Sequence, residues 1–182
     1  MVRKVVVYEF LSLDGVAEQP DEFVTDFDDV MEENLGRVIA TQDAVLLGRR
    51  TYDEWARFWP TSDIEPFASF INGVEKFVVT STTPDETWAN TRVVDGGGVG
   101  LVEFVTKLKQ QSGEDIGVHG SIALTQSLLE QGLVDELRLV IAPALHIKGR
   151  KLFDNGLSRR LSLTRNVTSP SGCLLLDFQV GG

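Results

Sequence analysis

Three short segments combine glycine, arginine and hydroxyl residues at points where a predicted strand ends. They are Gly48-Arg49-Arg50-Thr51, Ser81-Thr82-Thr83 and Gly120-Ser121-Ile122. Glycine lets a phosphate approach the main chain, arginine offers a fork of donors, and the first N–H groups of a helix attract anions. The segments therefore predict a site for a phosphate-bearing ligand, although solvated turns and polar helix caps produce similar patterns.

The alternation of apolar residues and chain breakers predicts the elements that must position these segments. The predicted strands span residues 3–10, 43–47, 76–80, 92–94, 116–119 and 136–142, and a C-terminal hairpin spans 162–168 and 173–180. The predicted helices span residues 25–40, 50–58, 101–111 and 122–131, and Gly96-Gly97-Gly98 is predicted to be a flexible connection. This order indicates an α/β sheet, whose ligands bind at the carboxyl ends of the strands.

Length and composition are typical of one globular domain that spans residues 1–182. The sequence is 42% hydrophobic and 24% charged, and its apolar runs are too short to cross a bilayer. One cysteine excludes an internal disulfide, and with only two histidines we predict no metal site. The net charge of −10 argues against nucleic-acid and membrane partners. Because we identify no signal peptide, we expect a cytoplasmic protein.

The order and spacing of several motifs resemble the dihydrofolate-reductase-like fold. The resemblance is closest to the C-terminal reductase domain of the riboflavin-biosynthesis deaminase-reductase and its stand-alone relatives. The motifs are Ser12-Leu13-Asp14-Gly15, Leu47-Gly48-Arg49-Arg50-Thr51-Tyr52, Trp59-Pro60, Val79-Thr80-Ser81-Thr82, Gly120-Ser121, and a segment over 128–139 that continues to Pro143 and Lys151-Leu152-Phe153. The resemblance implies a three-layer α/β sandwich, with helices on both faces of a mixed, mostly parallel sheet that ends in an antiparallel hairpin.

The resemblance also implies an oxidoreductase that uses bound NADPH as a hydride donor, with reduction of 5-amino-6-(5-phosphoribosylamino)uracil as the nominal family reaction. Motif matching assigns the cofactor phosphates to Gly48, Arg49, Arg50 and Thr51, and the adenosine 2′-phosphate to Ser81 and Thr82. It assigns the pyrophosphate and nicotinamide ribose to Gly120, Ser121 and Ile122, and the edge of the nicotinamide ring to the backbone of Phe10 and Leu11.

A reduced substrate also needs a proton, and in dihydrofolate reductases a carboxylate on the helix before the Gly-Arg motif supports protonation. Counting back from Gly48 places Glu32 nearest that position, with Asp28 one turn earlier on the same helix face. Asp14 is the third candidate for a catalytic carboxylate. Each candidate also has a plain structural interpretation, as a solvated helix charge for Glu32 and Asp28 and as an Asx-turn residue for Asp14.

Departures from the family pattern leave the substrate open. Val16 stands where riboflavin-pathway reductases tend to carry a basic residue, and no Lys or Arg occurs between Lys4 and Arg37. A phosphoribosyl group therefore loses an expected partner, and we expect a small heterocyclic or carbonyl/imine substrate. The alternative is a non-catalytic protein of the same fold that binds a pterin-like or drug-like compound. In either case, Leu174 and Leu176 on one face of the hairpin would suit a homodimer interface.

Overall fold

A computed structural model describes residues 2–156 and 158–181 of the chain, and the strands in this part form one sheet. Its order is β4-β3-β2-β5-β1-β6-β8-β7. The strands are β1 (Val5–Leu11), β2 (Gln42–Gly48), β3 (Glu75–Thr80), β4 (Thr91–Asp95), β5 (Asp115–His119), β6 (Glu136–Ile141), β7 (Leu161–Thr168) and β8 (Leu174–Val180). Strands β1 to β6 pair in parallel, whereas β8 pairs antiparallel with both β6 and β7. The predicted parallel sheet with a C-terminal hairpin is confirmed.

Helices cover both faces of this sheet. They are α1 (Asp29–Ile39), α2 (Arg49–Phe58), α3 (Phe67–Gly73), α4 (Gly98–Gln110) and α5 (Ile122–Glu130), with short 3-10 helices at Pro20–Glu22 and Trp59–Thr61. Apolar residues of α4 and α5 pack with one face of the sheet, and those of α1, α2 and α3 pack with the other. Strand β1 is apolar except for Glu9, and β2 is apolar after Gln42 and Asp43, in agreement with the cover on both faces of the sheet. The three-layer arrangement is therefore confirmed.

Three differences from the sequence predictions exceed two residues or concern a whole element. Helix α1 begins at Asp29 instead of residue 25, because the Asp28 carboxylate accepts the N–H of Met31 and caps the helix there. The glycine segment predicted as a flexible connection starts helix α4 at Gly98. Helix α3 was not predicted, since its seven residues are too few to show a helical period. No helix among residues 2–156 and 158–181 has the length and apolar content that crossing a bilayer requires.

Candidate functional site

The three segments singled out by sequence line one cleft at the carboxyl ends of the parallel strands. The cleft has a volume of about 1300 Å³. Gly48 follows β2, Ser81 follows β3 and Gly120 follows β5, and these three strands are neighbours in the sheet. Parallel strands bring their carboxyl ends to the same edge, so segments far apart in the chain meet there.

Three helices begin at this cleft without a side-chain cap. The residues that precede α2, α4 and α5 are Gly48, Gly97 and Ser121. The two glycines have no side chain to act as a cap, and the Ser121 hydroxyl accepts no hydrogen bond from α5. By contrast, α1 carries the Asp28 cap. The first N–H groups of a helix have no partner within the helix, so the uncapped ends facing the cleft suit an anionic ligand.

Two hydrogen bonds join the Gly48 and Gly120 corners of the cleft. The Ser121 hydroxyl accepts the N–H of Gly48 at 3.0 Å, and the Thr51 hydroxyl donates to the carbonyl of Gly120 at 2.8 Å. Gly120 has a φ of 61°, and a Cβ there would lie 2.8 Å from Trp55 Cζ2. A Cβ at Gly48 would meet nothing closer than 3.8 Å. Glycine is therefore required at the Gly120 corner by both backbone conformation and close packing.

Carboxylates neutralise the arginines that begin α2. Arg49 Nε lies 2.5 Å from Asp53, Arg49 Nη2 lies 2.9 Å from Asp85, and Arg49 Nη1 donates to the Thr82 hydroxyl. Arg50 pairs with Glu54 at 3.1 Å and with Glu18 at 3.4 Å.

A third arginine of the cleft, Arg150, is exposed, and its guanidinium group forms no ion pair with the residues that the structure describes, whereas its main-chain N–H donates to Glu18 at 3.1 Å. Arg150 therefore keeps its positive charge available to a ligand, whereas the charges of Arg49 and Arg50 are largely compensated by carboxylates of the protein.

Glu9 is a buried carboxyl group in the cleft that the sequence analysis missed. Glu9 is 3% exposed, and its Oε1 atom accepts the N–H of Ser121 at 3.1 Å. Removal of the carboxylate from water raises the pKa of Glu9 to about 8, although N–H groups of Ser121 and Gly120 oppose the shift. The signal was a glutamate inside the otherwise apolar strand β1. Because the other residues of β1 fit a covered strand, this one charge was the exception to be explained.

The three carboxylates predicted as catalytic lie outside the residues that line the cleft. Asp14 accepts the N–H groups of His146 and Ile147, both at 2.9 Å, and the His146 N–H lowers the pKa of Asp14. Asp28 caps α1 and accepts the N–H of Ser171 at 2.9 Å. Glu32 is exposed on α1. Asp28 is thus a helix cap instead of a solvated charge, Asp14 binds a distant loop, and only Glu32 matches its interpretation as a solvated helix charge.

Nearly all residues predicted to touch the cofactor do line the cleft. They are Phe10, Gly48, Arg49, Arg50, Thr51, Ser81, Thr82, Gly120, Ser121 and Ile122. Leu11 is the exception, because its side chain is buried in the core beneath and its carbonyl accepts the N–H of Ala142. The contact of all these residues with a cofactor, including that of the Leu11 backbone, remains a prediction.

Aromatic side chains form a second part of the cleft, which we call the aromatic wall and define as Phe10, Phe27, Phe58, Trp59 and Phe67. The rings of Phe58 and Trp59 lie 5.0 Å apart and those of Trp59 and Phe67 lie 4.8 Å apart, both edge to face.

His119 lies behind this wall, with its ring 5.4 Å from that of Phe67. Its Nε2 atom lies 2.7 Å from Gln42 Oε1, and burial lowers the pKa of His119 to about 3. The His119 side chain is therefore a neutral, buried imidazole at the end of β5.

Comparison with known proteins gives one family. The family model for the RibD C-terminal domain matches residues 3–175. Over 189 residues the chain is 27% identical to the uncharacterized protein YyaP of Bacillus subtilis, with 99% of this chain and 96% of that protein covered. It is 25% identical over 156 residues to YwjB of the same organism, with 84% of each covered.

The fold agrees with solved structures of low sequence identity. A putative riboflavin biosynthesis protein from Shewanella sp. PV-4 is similar with a TM-score of 0.78 at 16% identity, covering 98% of this chain and 99% of that one. A pyrimidine reductase-like protein from Corynebacterium diphtheriae has a TM-score of 0.71 at 16% identity, covering 99% and 92% of the two chains. On the match of the family model to nearly its full length, the chain belongs to the RibD C-terminal domain family.

Proposed function

We propose that this protein is an NADPH-dependent reductase that transfers a hydride to a small heterocyclic or carbonyl/imine substrate. The nominal family activity is 5-amino-6-(5-phosphoribosylamino)uracil reduction in riboflavin biosynthesis. The observation that carries the proposal is the convergence of Gly48, Ser81 and Gly120 on one cleft, where α2, α4 and α5 begin uncapped. Membership of a family of reductase domains supports the same chemistry.

The residues of the cleft fit a dinucleotide. The free N–H groups at the starts of α2 and α5 would hold the pyrophosphate, and Gly120 allows the sharp turn that leads into α5. The hydroxyls of Ser81 and Thr82 would face the adenosine 2′-phosphate. When bound, NADPH would supply the hydride. The aromatic wall would exclude water from the reacting rings.

Reduction of a C=N or C=O bond consumes a proton as well as a hydride, so the site must also hold a proton. Glu9 is suited to this role for two reasons. It lines the cleft, and its raised pKa of about 8 keeps the carboxyl group mostly protonated at neutral pH. We therefore assign Glu9, in place of Asp14, Asp28 or Glu32, as the group that holds the proton.

A titration of the purified protein with NADPH, followed by nicotinamide fluorescence, tests the proposal. We expect saturable binding that Gly120→Ala weakens at least tenfold, since the added methyl group strains the backbone and meets Trp55. Gly36→Ala is the matched control, because Gly36 lies in α1 away from the cleft and a Cβ there meets nothing within 4 Å. Absence of binding at millimolar NADPH would refute the proposal.

The placement of Asp14, Asp28 and Glu32 outside the cleft favours a second candidate, a non-catalytic protein that binds a pterin-like or drug-like compound. This candidate predicts that NADPH is not oxidised with any small heterocyclic or carbonyl substrate. It also predicts that Glu9→Gln leaves ligand affinity unchanged. Oxidation of NADPH that depends on substrate and declines in Glu9→Gln would decide for the reductase.

We further propose a cytoplasmic homodimer that associates through the C-terminal hairpin. Strand β7 forms one edge of the sheet, and Leu163 and Leu174 of the hairpin are 52% and 39% exposed. An edge strand with exposed apolar residues is suited to pairing with a second copy of the chain. Sedimentation velocity tests this proposal, since a monomer at micromolar concentration would remove it.

A further inference from the structure

The aromatic wall leaves large apolar surfaces uncovered. Phe27 is 44% exposed, Phe58 is 50% exposed, and the adjoining Ile64 of the cleft is 56% exposed. Contiguous exposed apolar surface is unfavourable in water and marks ligand or partner sites. Because these side chains line a concave cleft, a small molecule is the occupant that fits them.

The cleft is large enough for two ligands. Sites for single small molecules are typically about 300–1,000 Å³, whereas this cleft has a volume of about 1300 Å³. The uncapped helix starts lie beside Gly48, Gly97 and Ser121, and the aromatic wall extends from Phe10 to Phe67 on the side of α1, α2 and α3. A dinucleotide on the helix starts thus leaves the aromatic wall free for a second molecule.

The charges of the cleft disfavour an anion at the aromatic wall. Its carboxyl groups are Glu9, Glu18, Asp21, Glu54 and Glu65, against the guanidinium groups of Arg49, Arg50 and Arg150. Arg49 and Arg50 are paired with carboxylates, and the wall itself contains no basic residue. A phosphate group at the wall would therefore lose its hydration without gaining a cation.

One polar atom in the wall lacks a partner. The indole N–H of Trp59 is buried and donates no hydrogen bond to any described residue. A buried donor without an acceptor costs about 1–3 kcal/mol. A carbonyl oxygen or ring nitrogen on a molecule that inserts beside Trp59 would remove this penalty.

We infer that the aromatic wall binds the substrate, and that this substrate is a planar, uncharged ring compound with a hydrogen-bond acceptor and no phosphate group. The inference rests on the proposed function, since it names the substrate class of the same cleft. It departs from the phosphoribosyl compound of the nominal family reaction.

Three probes that share one ring system test the inference, namely lumichrome, riboflavin and riboflavin 5′-phosphate. Each is titrated into the NADPH-loaded protein while quenching of its fluorescence is recorded. We expect the two uncharged probes to bind at least tenfold more tightly than the phosphate. Trp59→Leu should weaken them at least tenfold, and Trp59→Phe, which keeps a ring but loses the N–H group, should weaken them less. Val93→Ala, an exposed residue of β4 outside the cleft, is the control.

Separate measurement of NADPH affinity distinguishes failure of this inference from failure of the proposed function. Unchanged NADPH binding in the Trp59 variants also shows that they fold. The inference would be overturned if riboflavin 5′-phosphate bound as tightly as the uncharged probes, or more tightly. It would also be overturned if riboflavin 5′-phosphate bound and the Arg150→Gln substitution abolished that binding. Failure of all three probes to bind at 1 mM while NADPH still binds would overturn it as well. Loss of NADPH binding in the unaltered protein would instead refute the proposed function.

Discussion

Replacement of Glu9 by glutamine should make the protein more stable in alkaline solution. Burial raises the pKa of Glu9 from 4.5 to about 8. Between pH 4.5 and about pH 8 the folded state binds more protons than the unfolded state, so the free energy of unfolding falls as the pH rises. One pKa unit corresponds to ~1.4 kcal/mol, so the loss approaches ~5 kcal/mol above pH 8 and is ~1 kcal/mol or less at pH 5.

Glutamine has nearly the same shape and still offers an oxygen to the Ser121 N–H, but it cannot ionise. Urea denaturation followed by tryptophan fluorescence should therefore give similar stabilities for Glu9→Gln and the unaltered protein at pH 5. At pH 9 the variant should be several kcal/mol more stable. Glu32→Gln, an exposed acid on α1, is the control and should leave the pH profile unchanged. Parallel profiles for Glu9→Gln and the unaltered protein would show that Glu9 ionises normally, and the assignment of its proton would fail.

Three other substitutions follow from named contacts. Asp85→Asn frees one nitrogen of Arg49 for a 2′-phosphate, so in fluorescence titrations NADPH should bind about 3-fold tighter, the effect of an exposed ion pair, with little change for NADH. Lys76→Met should cost about 2–4 kcal/mol in urea denaturation, because the buried Nζ atom donates to two carbonyl groups and lies over the Trp88 ring. Asp28→Ala should lower stability by about 0.5–2 kcal/mol through loss of the α1 cap, and should leave NADPH affinity unchanged.

The parts of the fold that sequence predicted well are those with strong periodic or compositional signals. The apolar runs of β2, β3 and β5 indicated covered strands, and the glycine and hydroxyl residues after them marked the carboxyl edge of the sheet. That edge was sufficient to bring Gly48, Ser81 and Gly120 together. The short helix α3 escaped prediction, because its position depends on tertiary contacts such as the packing of Phe67 against Trp59.

The carboxylates were harder to place, since sequence spacing does not reveal which way a helix faces. The buried face of α1 includes Met31 and Leu35, and its burial turns Glu32 to solvent. Asp28 and Asp14 are acceptors for main-chain N–H groups from distant loops, and these contacts have no local sequence signal. Glu9 had such a signal, because a charge in a covered strand must be explained either by a partner or by a function.

The proposed anion site of this acidic protein depends mainly on groups of the main chain. Each helix start carries a partial charge of about +0.5, so the three that begin at the cleft together supply more than one positive charge. Arg49 and Arg50 add little, since each is paired with two carboxylates. Most of the net charge of −10 lies on the surface and is screened within about 8 Å at physiological ionic strength, whereas the N–H groups would contact a phosphate directly. Short-range donors fixed by the fold can therefore outweigh a repulsive overall charge, which reconciles a polyanionic cofactor with this composition.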